Sequence, residues 1–191
     1  MSRTKNLNAA IALAIAAAVT QAKAKHPEAN AFGTYYEVLN GELVGVHCNM
    51  LPAQGLTDCM GTWLGSTAKK GGWYVGLYAN AINPASGWTA ANVAGTAGEI
   101  TSNTEGYTEA TRPQFTPNAA AAGVIDNVGQ EAAFSIVSAG TVTVEGAFLI
   151  SDNARGGTAG VLASAARYPA PRQLQDGDNY KVGYRVTMTS A

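Results

Sequence analysis

Histidine and cysteine supply the only cluster of soft metal ligands in this sequence. His47 and Cys48 are adjacent, and Cys59 follows eleven residues later. Neighbouring residues of a strand point to opposite faces, so His47 and Cys48 are not expected to bind one metal ion, and a closed zinc site would need two more ligands. The cysteines are expected to be buried free thiols, or a Cys48–Cys59 disulfide if the chain is exported. We therefore predict no metal site.

Three glutamates, Glu99, Glu105 and Glu109, lie in or beside a polar loop and are the next candidates for chemistry. Glycoside hydrolysis needs two carboxylates held about 5–10 Å apart across a cleft, and nothing in the sequence sets that spacing. Solvated loop acids are the simpler interpretation. The sequence also lacks a phosphate-binding loop, a dinucleotide fingerprint and a nucleophile elbow. We predict a protein that is not an enzyme, with no catalytic residues and no cofactor.

Aromatic side chains could instead serve binding. Trp73 is expected in or near the core, whereas Trp88 lies inside the long polar loop at 80–110. Exposed tryptophans are frequent anchors of protein contacts. We therefore predict a partner-contact loop that contains Trp88, Tyr107 and Arg112.

These residues must be positioned by the elements around them, and the first element is an alanine-rich stretch at 7–25. Its basic start, apolar middle and "AKA" ending are typical of a signal peptide. Alanine is also the best helix former, and the segment looks too short and too weakly apolar to cross a bilayer. We predict a retained helical arm over 1–30, with a cleaved signal as the alternative. Four apolar residues recur on one side of this helix and are the predicted assembly contacts: Leu7, Ile11, Ile15 and Val19.

The composition favours assembly. Charged residues form 13 % of the 191 residues and the net charge is −1, whereas a typical soluble domain has about 25 % charged residues. Nothing in this charge attracts nucleic acid or an anionic membrane, so neither is a predicted partner. A free monomer normally keeps a charged surface for solubility. We predict that the chain is covered by copies of itself or by another protein, the alternative being a secreted domain with a Thr, Asn and Ser surface.

Residues 31–70 are predicted to form a β-hairpin and a short helix linked to assembly. Asn40-Gly41 is a favoured two-residue hairpin turn, and apolar residues alternate on both sides of it. The segment at 55–67 is predicted to be a helix, capped by Thr57 or Asp58. Its apolar residues share one face: Leu56, Met60, Trp63 and Leu64.

Residues 71–191 are predicted to form the body of the protein. Strands are expected at 73–79, 132–138, 141–151 and 179–190, the middle two joined by a tight turn at Ala139-Gly140. Clean alternation of apolar and polar residues in the last segment indicates an antiparallel strand buried on one side. The predicted fold class is mainly β: an antiparallel β-sandwich, jelly-roll or immunoglobulin-like, with an N-terminal α-helical arm.

Six short segments after Gly72 occur in a characteristic order and spacing. They are "WYVGLY" at 73–78, "GYTEATRP" at 106–113, "AAFSI" at 132–136, "GTVTVEGAFLIS" at 140–151, "GGTAGVLASA" at 156–165 and "DGDNYKVGYRVT" at 176–187. With these segments, residues 73–187 resemble a family of bacteriophage virion proteins described as head-decoration or tail-fibre-like proteins.

The resemblance implies a β-sandwich module that is built into a phage particle in many copies and has no catalytic residues. We expect a decoration or cement protein on the capsid exterior, with the helix at 7–25 as an anchoring or oligomerising arm. The expected partners are the major capsid protein or other virion subunits, and the chain itself as a homo-oligomer such as a trimer. The expected location is the virion, assembled in the host cytoplasm. The alternatives are a tail, collar or fibre component whose 80–110 loop touches a host glycan, and a secreted enzyme.

Overall fold

The computed structural model describes residues 3–25 and 31–188. The fold is mixed α/β, with 40 % strand, two antiparallel sheets and an N-terminal helix. The predicted antiparallel strands and N-terminal helix are confirmed, whereas the expectation of a mainly β chain is corrected to mixed α/β. Three described helices accompany the strands, and only the last of them was not expected from the sequence. They are α1 Arg3–Lys25, α2 Ala53–Leu64 and α3 Ala90–Ala97.

The strands form two sheets in which every pairing is antiparallel. The first sheet has the order β2-β1-β10-β7-β4, with β6 also paired to β10, and the second has the order β5-β3-β8-β9. The strands are β1 Ala31–Leu39, β2 Glu42–Cys48, β3 Trp73–Tyr78, β4 Gly106–Tyr107, β5 Gln114–Phe115, β6 Val124–Asp126, β7 Ala132–Val137, β8 Thr141–Ile150, β9 Leu162–Gln175 and β10 Asn179–Met188.

The predicted hairpin at Asn40-Gly41 is confirmed. Both turn residues have positive φ, 50° at Asn40 and 87° at Gly41, which is the backbone that a two-residue hairpin turn requires. Strand β1 also pairs with β10 over nine residues, from Ala31 opposite Met188 to Leu39 opposite Tyr180. The predicted boundary between 31–70 and 71–191 therefore runs through a single sheet. Residues 26–30 of the predicted arm lie outside the described residues.

The predicted turn at Ala139-Gly140 does not make a hairpin of β7 and β8. Strand β7 pairs with β10 and β4, whereas β8 pairs with β3 and β9. The chain passes from the first sheet to the second at this point. Local sequence shows a turn here but not which strands it joins, because the two sheets pair their strands over long distances along the chain.

The two sheets share one apolar core. Tyr35 and Phe134 of the first sheet belong to the same buried cluster as Leu77 and Val144 of the second. The alternation predicted for β10 is confirmed for Tyr180, Val182 and Tyr184, which enter this core, but not for Met188 at the end of the strand, which is 49 % exposed.

Helices cover the outer faces of both sheets. Tyr36 and Val38 of β1 point away from the central core and meet α1, and Tyr78 and Phe148 of the second sheet meet α3. Both sheets are thus buried on two sides along part of their length. Helix α2 differs, because none of its residues is buried.

Candidate interaction surface

His47, Cys48 and Cys59 are not brought together as a ligand set. His47 Nε2 lies 2.5 Å from Glu37 Oε1. Both cysteines are free and exposed, so the expectation of buried thiols is wrong and no disulfide is formed. Cys48 Sγ contacts the carbonyl of Ala18 in α1 at 3.8 Å. Among residues 3–25 and 31–188, no group of three His, Cys, Asp or Glu side chains could hold a metal ion.

Glu37 is the centre of a buried polar network between the two sheets. Arg172 of β9 donates two hydrogen bonds to its carboxylate, Nε to Oε2 at 2.9 Å and Nη2 to Oε1 at 3.0 Å. Tyr180 of β10 donates a further hydrogen bond to Oε2. A β-bulge in β2 turns the carbonyl of Val44 toward Arg172, which donates to it at 2.9 Å. Four strands therefore meet at one carboxylate.

The surroundings of Glu37 keep it ionised. Burial acts to raise the pKa of this carboxyl, but hydrogen bonds from His47, Arg172 and Tyr180 outweigh burial and lower the pKa below its ordinary value. Burial raises the pKa of Tyr180 well above its ordinary value, and the nearby Tyr168 and Glu37 add to the effect. Glu37 is thus a buried carboxylate that accepts hydrogen bonds from cationic and neutral donors. Both of its oxygens have their partners within the same chain.

Arg112, one of the predicted partner-contact residues, is buried instead. Its guanidinium donates to both carboxylate oxygens of Glu99, at 2.8 and 2.7 Å. It also donates to the carbonyl oxygens of Asp152 and Gly157, at 2.8 and 3.0 Å. Arg112 therefore links its own loop to the loop that contains Asp152 and Gly157. Its side chain is not exposed for contact with a partner.

Trp88 and Tyr107 are buried as well, which corrects the predicted contact loop. Trp88 packs in the apolar cluster beneath α3, and Tyr107 is fully buried in β4. The loop expected at 80–110 contains α3, and its tryptophan anchors that helix to the second sheet. Sequence reasoning missed Arg155, which lies over the Tyr107 ring with its guanidinium carbon 3.9 Å from the ring centroid.

The remaining predicted acids serve local hydrogen bonds. Glu105 accepts from the Ser138 hydroxyl at 2.6 Å and from the Ala139 amide at 3.2 Å, and these bonds lower the pKa of its carboxyl. Glu109 accepts from the Ser135 amide at 3.1 Å. Each acid therefore ties its loop to β7 or to the turn that follows it.

Helix α1 folds back onto its own chain. Ile11 and Ile15 are buried against Tyr36 and Val38 of the hairpin. The other two residues of the predicted assembly stripe, Leu7 and Val19, pack beside them. The stripe is therefore an intramolecular contact, which corrects its assignment to another subunit.

The opposite side of α1 faces solvent. It consists mainly of alanines with Leu13 among them, and Leu13 is 75 % exposed. No charged residue lies between Lys5 and Lys23. Helix α1 is long and apolar enough to cross a membrane by length and composition, contrary to the expectation above. A helix that packs on a soluble core and a signal sequence meet the same criterion.

Helix α2 carries the most concentrated apolar surface of the described residues. Its predicted apolar face is confirmed as a face but points outward: Leu56 is 49 % exposed, Met60 51 %, Trp63 72 % and Leu64 70 %. Met50, just before the helix, is also exposed. The helix begins at Ala53 after Pro52, which corrects the predicted capping by Thr57 or Asp58. We call the five residues Met50, Leu56, Met60, Trp63 and Leu64 the α2 face.

Hydrogen bonds fix α2 to the body at its first turn. The side-chain oxygen of Gln54 accepts from the amides of Ala90 and Leu162, each at 2.8 Å. The Ala53 amide donates to the Ser86 carbonyl at 3.0 Å. The helix is therefore held in a defined position by its N-terminal half, and its apolar C-terminal half projects from the body.

Two cavities among the described residues are shallow. One, of about 300 Å³, is lined by four small or aliphatic residues and by the Asp126–Arg185 pair, whose charged atoms are 3.8 Å apart. The other, of about 230 Å³, lies between α1 and β10. Ligand pockets are normally larger and lined by convergent polar groups. The α2 face is the better candidate for function.

The chain matches no protein-family model and no curated protein.

Proposed function

We propose that this protein is a non-enzymatic structural component of a bacteriophage particle, and that it decorates the head as a cement protein bound to the major capsid lattice. The observation that carries the proposal is the pair of uncharged helical surfaces on α1 and α2, on a chain with 13 % charged residues. Exposed apolar patches of this kind mark protein interfaces.

The type of β-sheet architecture is part of the same proposal. We assign the two antiparallel sheets to a β-sandwich of the jelly-roll or immunoglobulin-like type. Support comes from the core that the sheets share, in which Tyr35 of β1 and Leu77 of β3 belong to one cluster. The resemblance of residues 73–187 to phage virion proteins supports the same assignment.

The buried charges support a structural role. Glu37 and Glu99 have almost fully buried carboxylates, and each accepts two hydrogen bonds from an arginine. Such groups hold loops and strands together. The tail or fibre alternative needed an exposed contact loop at 80–110, and its key side chains Trp88, Tyr107 and Arg112 are buried.

Co-sedimentation with purified phage parts tests the proposal. The protein is mixed separately with heads from particles that lack it and with tails from the same phage. We expect saturable binding to heads and none to tails, and heads without the protein should break at a lower temperature. A Leu13→Glu variant, which adds a charge to the exposed side of α1, should bind heads more weakly. Binding to tails only, or to neither part, would overturn the proposal.

A further inference from the structure

Helix α2 is amphipathic in the direction opposite to that of a normal surface helix. Its large apolar residues Leu56, Met60 and Trp63 point to solvent, while small or polar residues point toward the body. The residues on the inner side are Gln54, Gly55, Asp58 and Gly61. A surface helix ordinarily buries its apolar stripe and exposes its polar one.

The reversed orientation is built into the sequence. A Cβ atom on Gly55 would lie 2.4 Å from the Ala163 carbonyl oxygen, so only glycine allows this approach to β9. Gln54 supplies the hydrogen bonds that hold the helix in place. Rotating α2 to bury its apolar side would lose both features. The outward direction of the α2 face is therefore fixed by specific residues of the folded chain.

The size of the α2 face fits one half of a dimer interface. Its five side chains expose on the order of 500 Å² of apolar surface, with Trp63 the largest contributor. A stable interface buries about 800 Å² on each partner, and about 65 % of a homodimer interface is apolar. The face thus supplies about the apolar area that one partner brings to a homodimer.

The charges near α2 also fit a second copy. Asp58, the only charged residue of the helix, lies on the inner side, and its Oδ1 is 2.8 Å from Nζ of Lys70 in the same chain. The α2 face itself carries no charge. Two copies can therefore meet face to face without bringing like charges together, and no charged partner is needed for complementarity.

The spacing of the apolar residues is suited to two-fold pairing. Leu56, Met60, Trp63 and Leu64 follow the i, i+4, i+7, i+8 pattern of one helix face. In an antiparallel pair, Leu56 of one helix lies opposite Trp63 and Leu64 of the other, and Met60 lies near the axis. A closed, self-complementary contact of this kind is the commonest form of protein assembly.

We propose that a second copy of this chain covers the α2 face, through antiparallel two-fold packing of α2 against α2. The inference names the partner of α2 within the proposed structural role. It is tested on the isolated protein, whereas the proposed function is tested on phage heads. Failure of one is therefore distinguishable from failure of the other.

The first experiment measures the solution molar mass by light scattering. We expect a dimer, twice the 19.6 kDa of the chain. Leu64→Glu should give a monomer, whereas Leu13→Glu should remain a dimer. The two leucines are matched, since they are 70 % and 75 % exposed on different helices. Circular dichroism should show both variants folded. A monomeric wild type, a trimer, or a dimer that survives Leu64→Glu would overturn the proposal.

The second experiment uses the free cysteine of α2. Cys59 lies midway between Leu56 and Trp63, so two-fold pairing centred there brings the Cys59 thiols of the two copies together. A short bismaleimide should link Cys48→Ser chains into dimers through Cys59. It should link Cys59→Ser chains, which keep only Cys48, much less. Equal linking of the two variants, or linking of neither, would contradict the pairing.

Discussion

Arg112 and Glu99 form a bidentate ion pair inside the protein, with Nε and Nη2 of the arginine 2.8 and 2.7 Å from the two carboxylate oxygens. Neither side chain is more than 1 % exposed. The Gly156 amide also donates to Glu99, at 3.0 Å. This buried pair joins the end of α3 to the loops that contain Arg112 and Gly156. It also explains why Arg112, which was expected at a contact surface, is internal.

Replacing Arg112 with Met should lower the free energy of unfolding by about 3–5 kcal/mol, because Glu99 would remain buried without its partner. Denaturant titration followed by tryptophan fluorescence measures the loss. The double variant Arg112→Met/Glu99→Leu removes both charges and should be more stable than Arg112→Met alone. A single variant with wild-type stability would show that the pair does not hold the loops.

Acid should destabilise the protein through Glu37. Its pKa in the folded protein is below the ordinary value of 4.5, so the stability it provides is complete above pH 4.5 and is lost as the pH falls through the lower folded value. Thermal melting between pH 7 and pH 3 should show this fall. Glu37→Gln should be less stable at pH 7 and should lose less stability on acidification.

Glu105 gives a comparison for that measurement, because its pKa is also lowered but the side chain is solvent-exposed. Glu105→Gln should change the melting temperature at pH 7 by less than Glu37→Gln does. Equal effects of the two substitutions would mean that burial of Glu37 is not what makes its network important.

The contact between α1 and the hairpin should be a substantial part of the stability. Ile11→Ala leaves a cavity against Tyr36 and Val38 and should cost about 2–5 kcal/mol. Leu13→Ala removes an exposed leucine of the same helix and should change stability by less than about 0.5 kcal/mol. Chemical denaturation of both variants makes the comparison, and an Ile11→Ala variant as stable as Leu13→Ala would mean that α1 does not pack as described.

Gly45 should not tolerate a side chain. A Cβ atom there would lie 2.3 Å from Glu37 Oε1 and 2.4 Å from Arg172 Nη2. Gly45→Ala should therefore cost about 1–3 kcal/mol. Gly95→Ala in α3 meets no atom within 4 Å and should stabilise the protein by up to about 1 kcal/mol, since alanine favours helix. Differential scanning calorimetry of both variants tests the contrast in sign.

Features that depend on local chemistry could be predicted from the sequence. The Asn40-Gly41 turn follows from the backbone that these two residues favour, and the burial of β10 follows from its alternating pattern. Helix α3 was not predicted because "AANVAGTA" is only eight residues long and contains Asn, Gly and Thr, which are poor helix formers. Its start does carry a signal: the Thr89 amide donates to the Asn92 side chain at 2.8 Å, a relative of the capping box.

Features that depend on distant partners could not be predicted. Trp88 and Arg112 lie in polar sequence that is typical of an exposed loop. They are buried because the fold places Tyr78 beside Trp88 and Glu99 beside Arg112. The direction of the α2 face depends likewise on the approach of Gly55 to Ala163. Sequence shows that a helix has an apolar side, but not whether that side meets the rest of its own chain.

The pairing of β1 with β10 also has a consequence for folding during synthesis. Tyr35 lies opposite Tyr184, so this edge of β1 is paired only after the chain has been synthesised through β10. Until β10 is made, the hairpin has an open edge with unpaired backbone groups, which other chains can join. Contacts between such distant residues also slow folding. Helix α1 precedes the hairpin in the chain and packs on one of its faces in the folded protein. This contact needs no part of β10, so it can form first and shield part of the hairpin while the remainder of the chain is translated.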